Sequence, residues 1–190
     1  MPGSTIHLMM AKKIKPEPSA LFSIGNIVPD AVEAREDKDI THFRSAPDRR
    51  AAMEALRDTT DPADEFKEGV LLHFYLDWQW DADMILPYKS SGGADWFPKY
   101  RAELRLAGSY GYRQTPWLWT LWDAMTAVAA SEYGFLERAT SEEAYAFVQH
   151  NRQWFLDNDI GPSEVYTPEI IENYLNETAE KYVLWRGLTV

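Results

Sequence analysis

GVLLHFYLDWQW, residues 69–80, carries apolar side chains around its whole circumference when wound as a helix. A helix of that kind must be buried on all sides, which places it at the centre of a helical protein. Only His73, Asp77 and Gln79 interrupt the apolar run. His73 and Asp77 stand four residues apart, hence on one helix face, one above the other. Phe66, Val70 and Trp80 share that face, so the pair points into an apolar interior. A carboxylate there is costly unless it is paired or bound to a metal. Two readings follow: a hydrogen-bonded His–Asp pair inside a core, or two ligands of a metal ion. Phe74, Tyr75, Trp78 and Trp80 are candidates for the walls of a pocket beside it.

Helical patterns continue on both sides of this stretch. The full central helix is expected from Pro62 to about Leu86, with Asp61 as its N-cap and Pro62 in its first position. Upstream, residues 5–14 read as a short helix with lysines near its end, and SALFSIGNIV as a second that stops at Pro29. Asp30 to Pro47 is charged and aperiodic and reads as a long loop, followed by helical residues 47–58. Downstream, Gly92-Gly93 breaks the chain ahead of a helix over 95–107. Thr115-Pro116 opens an aromatic-rich helix to about Tyr133. Thr140 with Glu143 forms a capping box for a helix to about Leu156, and Thr167-Pro168 opens the last one, to about Trp185. β-branched alternation is nearly absent. The expectation is one all-α domain over residues 1–190, without repeats or linkers.

The 190 residues suffice for one core without disulfides, and the chain has no Cys, which excludes thiol chemistry and Cys-type zinc fingers. Any metal site must be built from His, Asp and Glu. With 19 basic against 30 acidic residues the net charge is −11, so binding of nucleic acid through a basic face is not expected. MPGSTIHLMMAKKIK lacks the layout of a secretory signal and no run suits a membrane span, which points to a cytoplasmic protein. The run WLWTLWDAM, residues 117–125, reads as core packing rather than a lipid groove. No phosphate-binding glycine loop, no G-x-S-x-G and no His-Asp dipeptide occurs.

The four histidines divide unevenly. His7 lies on the first helix among Ile6, Leu8 and Met9, and His42 in the charged loop between Thr41 and Phe43. His150, among Gln149, Asn151 and Arg152, reads as an ordinary surface residue. Lys38 and Arg44, which flank His42, read as solvated loop side chains, with neutralisation of a phosphate as the alternative.

TIHL at 5–8, GNIVPD at 25–30, DITHF at 39–43 and LLHFYLDWQW at 71–80 together resemble the zinc-dependent phospholipase C family, in particular a short bacterial branch of it. That superfamily also includes zinc-dependent single-strand nucleases and is all-helical. The resemblance covers the first 80 or so residues and none of the C-terminal hundred. It implies a four-ligand site on Asp30, His42, His73 and Asp77, with Asp77 bridging to a second metal that His7 also holds. In the secreted phospholipases the amine of the processed N-terminal residue completes that second site, whereas six residues precede His7 here. The family's remaining site is missing its ligands. Asp83 stands where its first His belongs, and no His occurs between 73 and 150 to supply the downstream His-x-x-x-Glu.

Two His and two carboxylates suit zinc, and also manganese, iron or nickel. The implied activity is hydrolysis of a small phosphoester by water activated on the metal, with Asp30 and Asp77 contributing to catalysis through that water. The competing expectation is a non-catalytic helical protein with a structural metal.

Overall fold

A computed structural model describes residues 2–91 and 93–188. Among them no strand forms, and every regular element is helical, as expected. The elements are α1 (Ser4–Ile14), α2 (Ala20–Gly25), a 3-10 turn (Val28–Ala31), α3 (Arg35–Thr41), α4 (Arg49–Thr59) and α5 (Glu65–Trp80). A π-helical turn (Asp81–Ile85) joins α5 to α6 (Leu86–Ser91). Then come α7 (Trp96–Gln114), α8 (Pro116–Thr126), a second 3-10 turn (Ala130–Glu132), α9 (Ser141–Asp157) and α10 (Pro168–Arg186). No helix among the described residues is long and apolar enough to cross a membrane.

α5 is the central element. Leu71, Leu72, Leu76 and Trp80 are fully buried, and Val70 packs against both halves of the core. One half holds Trp80, Tyr100 and Tyr182, the other Trp122 and Phe155. Such rings contribute most of the apolar area removed from water. Trp122 comes from the 117–125 run, which is core as expected, although Trp119 is exposed.

Several boundaries differ from the sequence reading. α5 begins at Glu65, not Pro62. Asp61 closes a turn by accepting from the Ala63 amide at 2.9 Å, and Asp64 is the N-cap, accepting from Lys67 N at 3.1 Å. α8 stops at Thr126 rather than near Tyr133, because the Gln149 amide of α9 takes the Thr126 carbonyl at 3.1 Å. α7 runs on to Gln114, where Pro116 prevents further winding. α2 ends at Gly25, and Pro29 opens a 3-10 turn instead of following a longer helix. The expected loop over 30–47 contains α3. Its sequence, REDKDIT, has no apolar stripe, and Thr41 is its sole buried residue. The capping box of α9 forms as expected. Of the expected Gly92-Gly93 break, Gly92 lies outside the described residues, while Gly93 takes a left-handed φ of 68° between α6 and α7.

The closest helix crossing sets the position of everything that follows. Gly25 of α2 and Gly69 of α5 let the two backbones touch. A Cβ on Gly25 would enter the Phe66 carbonyl, and one on Gly69 would enter the Phe22 carbonyl and approach Asn26 N. Only glycine permits that approach.

Candidate metal centre

The Gly25–Gly69 crossing presses Asn26, the residue after α2, against α5. Its carbonyl faces His73 Nδ1 at 3.0 Å, and its side-chain amide donates to the His7 carbonyl at 2.5 Å. A carbonyl can only accept, so His73 donates from Nδ1 and keeps a lone pair on Nε2. His42 repeats the pattern from the end of α3. Its Nδ1 lies 3.0 Å from the Lys38 carbonyl, leaving its Nε2 as a lone pair. The next residue, Phe43, takes a left-handed φ of 56°, which turns the chain away and seats its ring edge-on against Phe74.

The two lone-pair nitrogens, His42 Nε2 and His73 Nε2, stand 3.1 Å apart, both fully buried. Two facing lone pairs repel unless a proton or a cation sits between them. A proton is disfavoured: burial, then the stacked His7 ring, pushes His73 down to about 3, and burial also lowers His42. A cation satisfies the geometry. Donation of the second ring nitrogen to a backbone carbonyl is also the usual habit of metal-bound histidine.

Carboxylates surround the pair. Asp77 Oδ2 lies 3.5 Å from His42 Nε2 and 3.8 Å from His73 Nε2, while Asp77 Oδ1 lies 3.4 Å from His7 Nε2. Asp30 Oδ1, on the 3-10 turn, lies 3.8 Å from His42 Nε2. Bonds of about 2.0–2.1 Å in a tetrahedral zinc site put ligand atoms about 3.3–3.4 Å apart. The spacing here, 3.1–3.8 Å, fits that edge. Neither ring nitrogen of His7 makes a hydrogen bond, and Asp77 Oδ1 makes none, although all three atoms are buried. Buried polar atoms rarely lack partners, and two of these, His7 Nε2 and Asp77 Oδ1, face each other as the atoms a second ion would hold.

Burial works against ionisation of Asp77, but His73, His7 and His42 outweigh it and hold the carboxyl well below its ordinary range. Asp30 is lowered in the same way, by His73 and Lys38 against burial. Both are anionic ligands at neutral pH, beside the neutral imidazoles of His42 and His73.

All five residues expected at the site are therefore together. Donor atoms converge in two overlapping groups, His42–His73–Asp77 and His7–Asp30–His73. Because His73 has one free nitrogen, it can serve only one ion, and the two oxygens of Asp77 face one histidine set each. Asp83 is exposed and belongs to neither group.

Two expectations need correction. Lys38 and Arg44 are not solvated loop side chains. Lys38 Nζ lies 3.5 Å from Asp30 Oδ1, and Arg44 donates to Asp77 Oδ2 at 3.2 Å and to Asp81 at 2.8 Å. Helix α3 turns Lys38 inward, and the left-handed turn at Phe43 after it brings Arg44 in. Of the proposed wall aromatics only Phe74 touches the site, edge-on to His42 and His73. Tyr75 packs on Tyr182 and Trp185, and Trp80 on Tyr166 and Tyr174. His150 is exposed as expected, yet it lines a cavity of about 290 Å³ that reaches Asp30 and Lys38. Asn26 anchors both His7 and His73, and its only trace in the sequence is its place within GNIVPD.

No known protein family, characterised protein or solved structure matches the chain, so the site's own chemistry must carry the functional reading.

Proposed function

We propose that the protein is a metal-dependent phosphoester hydrolase of the phospholipase C type. The observation that carries this reading is the way the cluster meets solvent. The side chains of His7, His42, His73 and Asp77 are 0% exposed, whereas Asp30 is 15% exposed and opens into the 290 Å³ cavity. A purely structural site has no need of such an opening, and a catalytic one requires an accessible position.

In this reading Asp30, His42, His73 and Asp77 hold one divalent ion, foremost zinc, and His7 with the second oxygen of Asp77 holds another. When bound, the ion supplies Lewis acidity, which makes water nucleophilic near neutral pH and draws charge from a phosphoryl oxygen. The residues do the rest. The carbonyls of Asn26 and Lys38 fix the two imidazole rings, Arg44 keeps Asp77 oriented, and Asp30 at the cavity mouth can hold the proton of attacking water. Lys38 is placed to meet the phosphate charge that arrives beside Asp30. The buried flank of Phe74 keeps bulk water away from the histidines.

The test is hydrolysis of p-nitrophenyl phosphate, bis-p-nitrophenyl phosphate and dispersed phospholipid by the metal-loaded protein. Asp77→Asn is expected to lower the rate at least about a hundredfold, while helical circular dichroism is retained because Asp81 still pairs with Arg44. If metal-loaded protein stays at background on all three substrates, the site is structural and the hydrolase reading falls.

Elemental analysis separates the histidines. His7→Ala is expected to reduce metal content per chain, and His150→Ala to leave it unchanged. Equal metal content in the two variants removes His7 from the ligand set.

A further inference from the structure

The cavity that meets Asp30 also has two arginines of α7 in its lining. Arg101 and Arg105 of α7 line it, both exposed and one helical turn apart. Two like charges at that spacing destabilise a helix slightly. The other arginines of the chain, from Arg35 to Arg186, each sit within 4.0 Å of a carboxylate. Arg101 and Arg105 make no ion pair among the described residues, in a chain with 30 acidic residues to choose from. Glu103, between them in sequence, turns away to accept from Ser163. Arg105 is instead held over the Trp154 ring at 5.2 Å, which also lines the cavity. A guanidinium pair kept clear of internal carboxylates, beside a pocket, leaves its donors free for an external anion.

We propose that Arg101 and Arg105 bind a second anionic group of the substrate, so that the site selects small organic phosphates that also carry a carboxylate or another phosphate. This rests on the hydrolase reading for the place of the first group. The reacting phosphoryl group lies at the Asp30–Lys38 end, the second anion at the arginines, and the organic link passes Trp154. A volume of about 290 Å³ sits at the lower limit of ligand pockets and suits a small soluble molecule rather than a diacyl lipid.

The experiment is calorimetric titration of the metal-loaded protein with 2-phosphoglycolate and with methyl phosphate, repeated on the double variant R101Q/R105Q. The intact protein is expected to bind 2-phosphoglycolate at least tenfold more tightly than methyl phosphate. The double variant should bind the two alike at unchanged metal content and melting temperature. Equal binding by the intact protein, or a preference that survives in the variant, overturns the proposal. A preference without turnover of any phosphoester supports it while removing the hydrolase; turnover without a preference overturns it and leaves the hydrolase standing.

Discussion

Exhaustive chelation is expected to lower the melting temperature by about 8–16 °C. An ion that binds only the folded chain stabilises it by RT ln(1 + [L]/Kd), about 4 kcal/mol at a thousandfold excess over Kd. For a domain of this size each kcal/mol moves the midpoint by about 2–4 °C. The physical origin is the cluster itself. Without a cation, His42 Nε2 and His73 Nε2 face each other at 3.1 Å with two carboxylates beside them and no proton to share. His73→Ala should lower the midpoint of the metal-free protein in its own right, so the diagnostic quantity is the shift on adding metal, which it should erase. Scanning calorimetry of chelated and reloaded protein decides the matter. Coincident midpoints for the two forms of the unmodified chain would mean that no ion occupies the cluster.

Gly69→Ala is expected to cost more than about 3 kcal/mol, beyond ordinary overpacking, and to leave either insoluble protein or a midpoint lowered by at least about 6–12 °C. A methyl group there meets the Phe22 carbonyl and the Asn26 amide, and backbone cannot rotate out of the way as a side chain can. α2 must lift off α5, carrying with it the Asn26 carbonyl that orients His73. Metal affinity should therefore fall in whatever fraction still folds. Gly108→Ala is the control. It is the same change inside α7, but the added methyl finds only ordinary contacts at 3.8 and 3.9 Å. It should be neutral or gain up to about 1 kcal/mol from helix propensity. Equal midpoints for Gly69→Ala and the parent would refute the tight crossing.

What the chain discloses in one dimension depends on distance. His73 and Asp77 are legible because four residues make one helical turn, and an apolar circumference announces burial. Asp30, His42 and His7 are legible only through motif resemblance, since nothing local to REDKDITHF shows that it folds inward. α3 was missed for the same reason: a short charged helix has no periodicity to read, and its direction comes from what Lys38 and Arg44 find at the cluster. The false start at Asp61 came from two aspartates competing for one cap, which three residues of turn geometry settled in favour of Asp64. Arg101 and Arg105 left a faint trace, two like charges on one turn. Their meaning appears only when α9 brings Trp154 beside them.

The order of the donors along the chain has a consequence for how the protein comes apart. Asp30, His42, His73 and Asp77 lie on or beside α2, α3 and α5, and α2 and α5 lock at the glycine crossing. His7 is carried by α1, whose broadest packing is against α7 and α10, far away in sequence. The cluster is thus shared between four donors held near that lock and a fifth on a helix that packs mainly on α7 and α10 and is tied to the lock by the Asn26 amide on the His7 carbonyl. Loosening of α10, which Arg186 pins to Glu68 and to the Thr60 carbonyl, would strip α1 of its broadest contact and leave α7 and the Asn26 amide to hold His7 beside the other four. Amide exchange should divide along that seam, with α1 and α10 opening together while α2 and α5 stay shut.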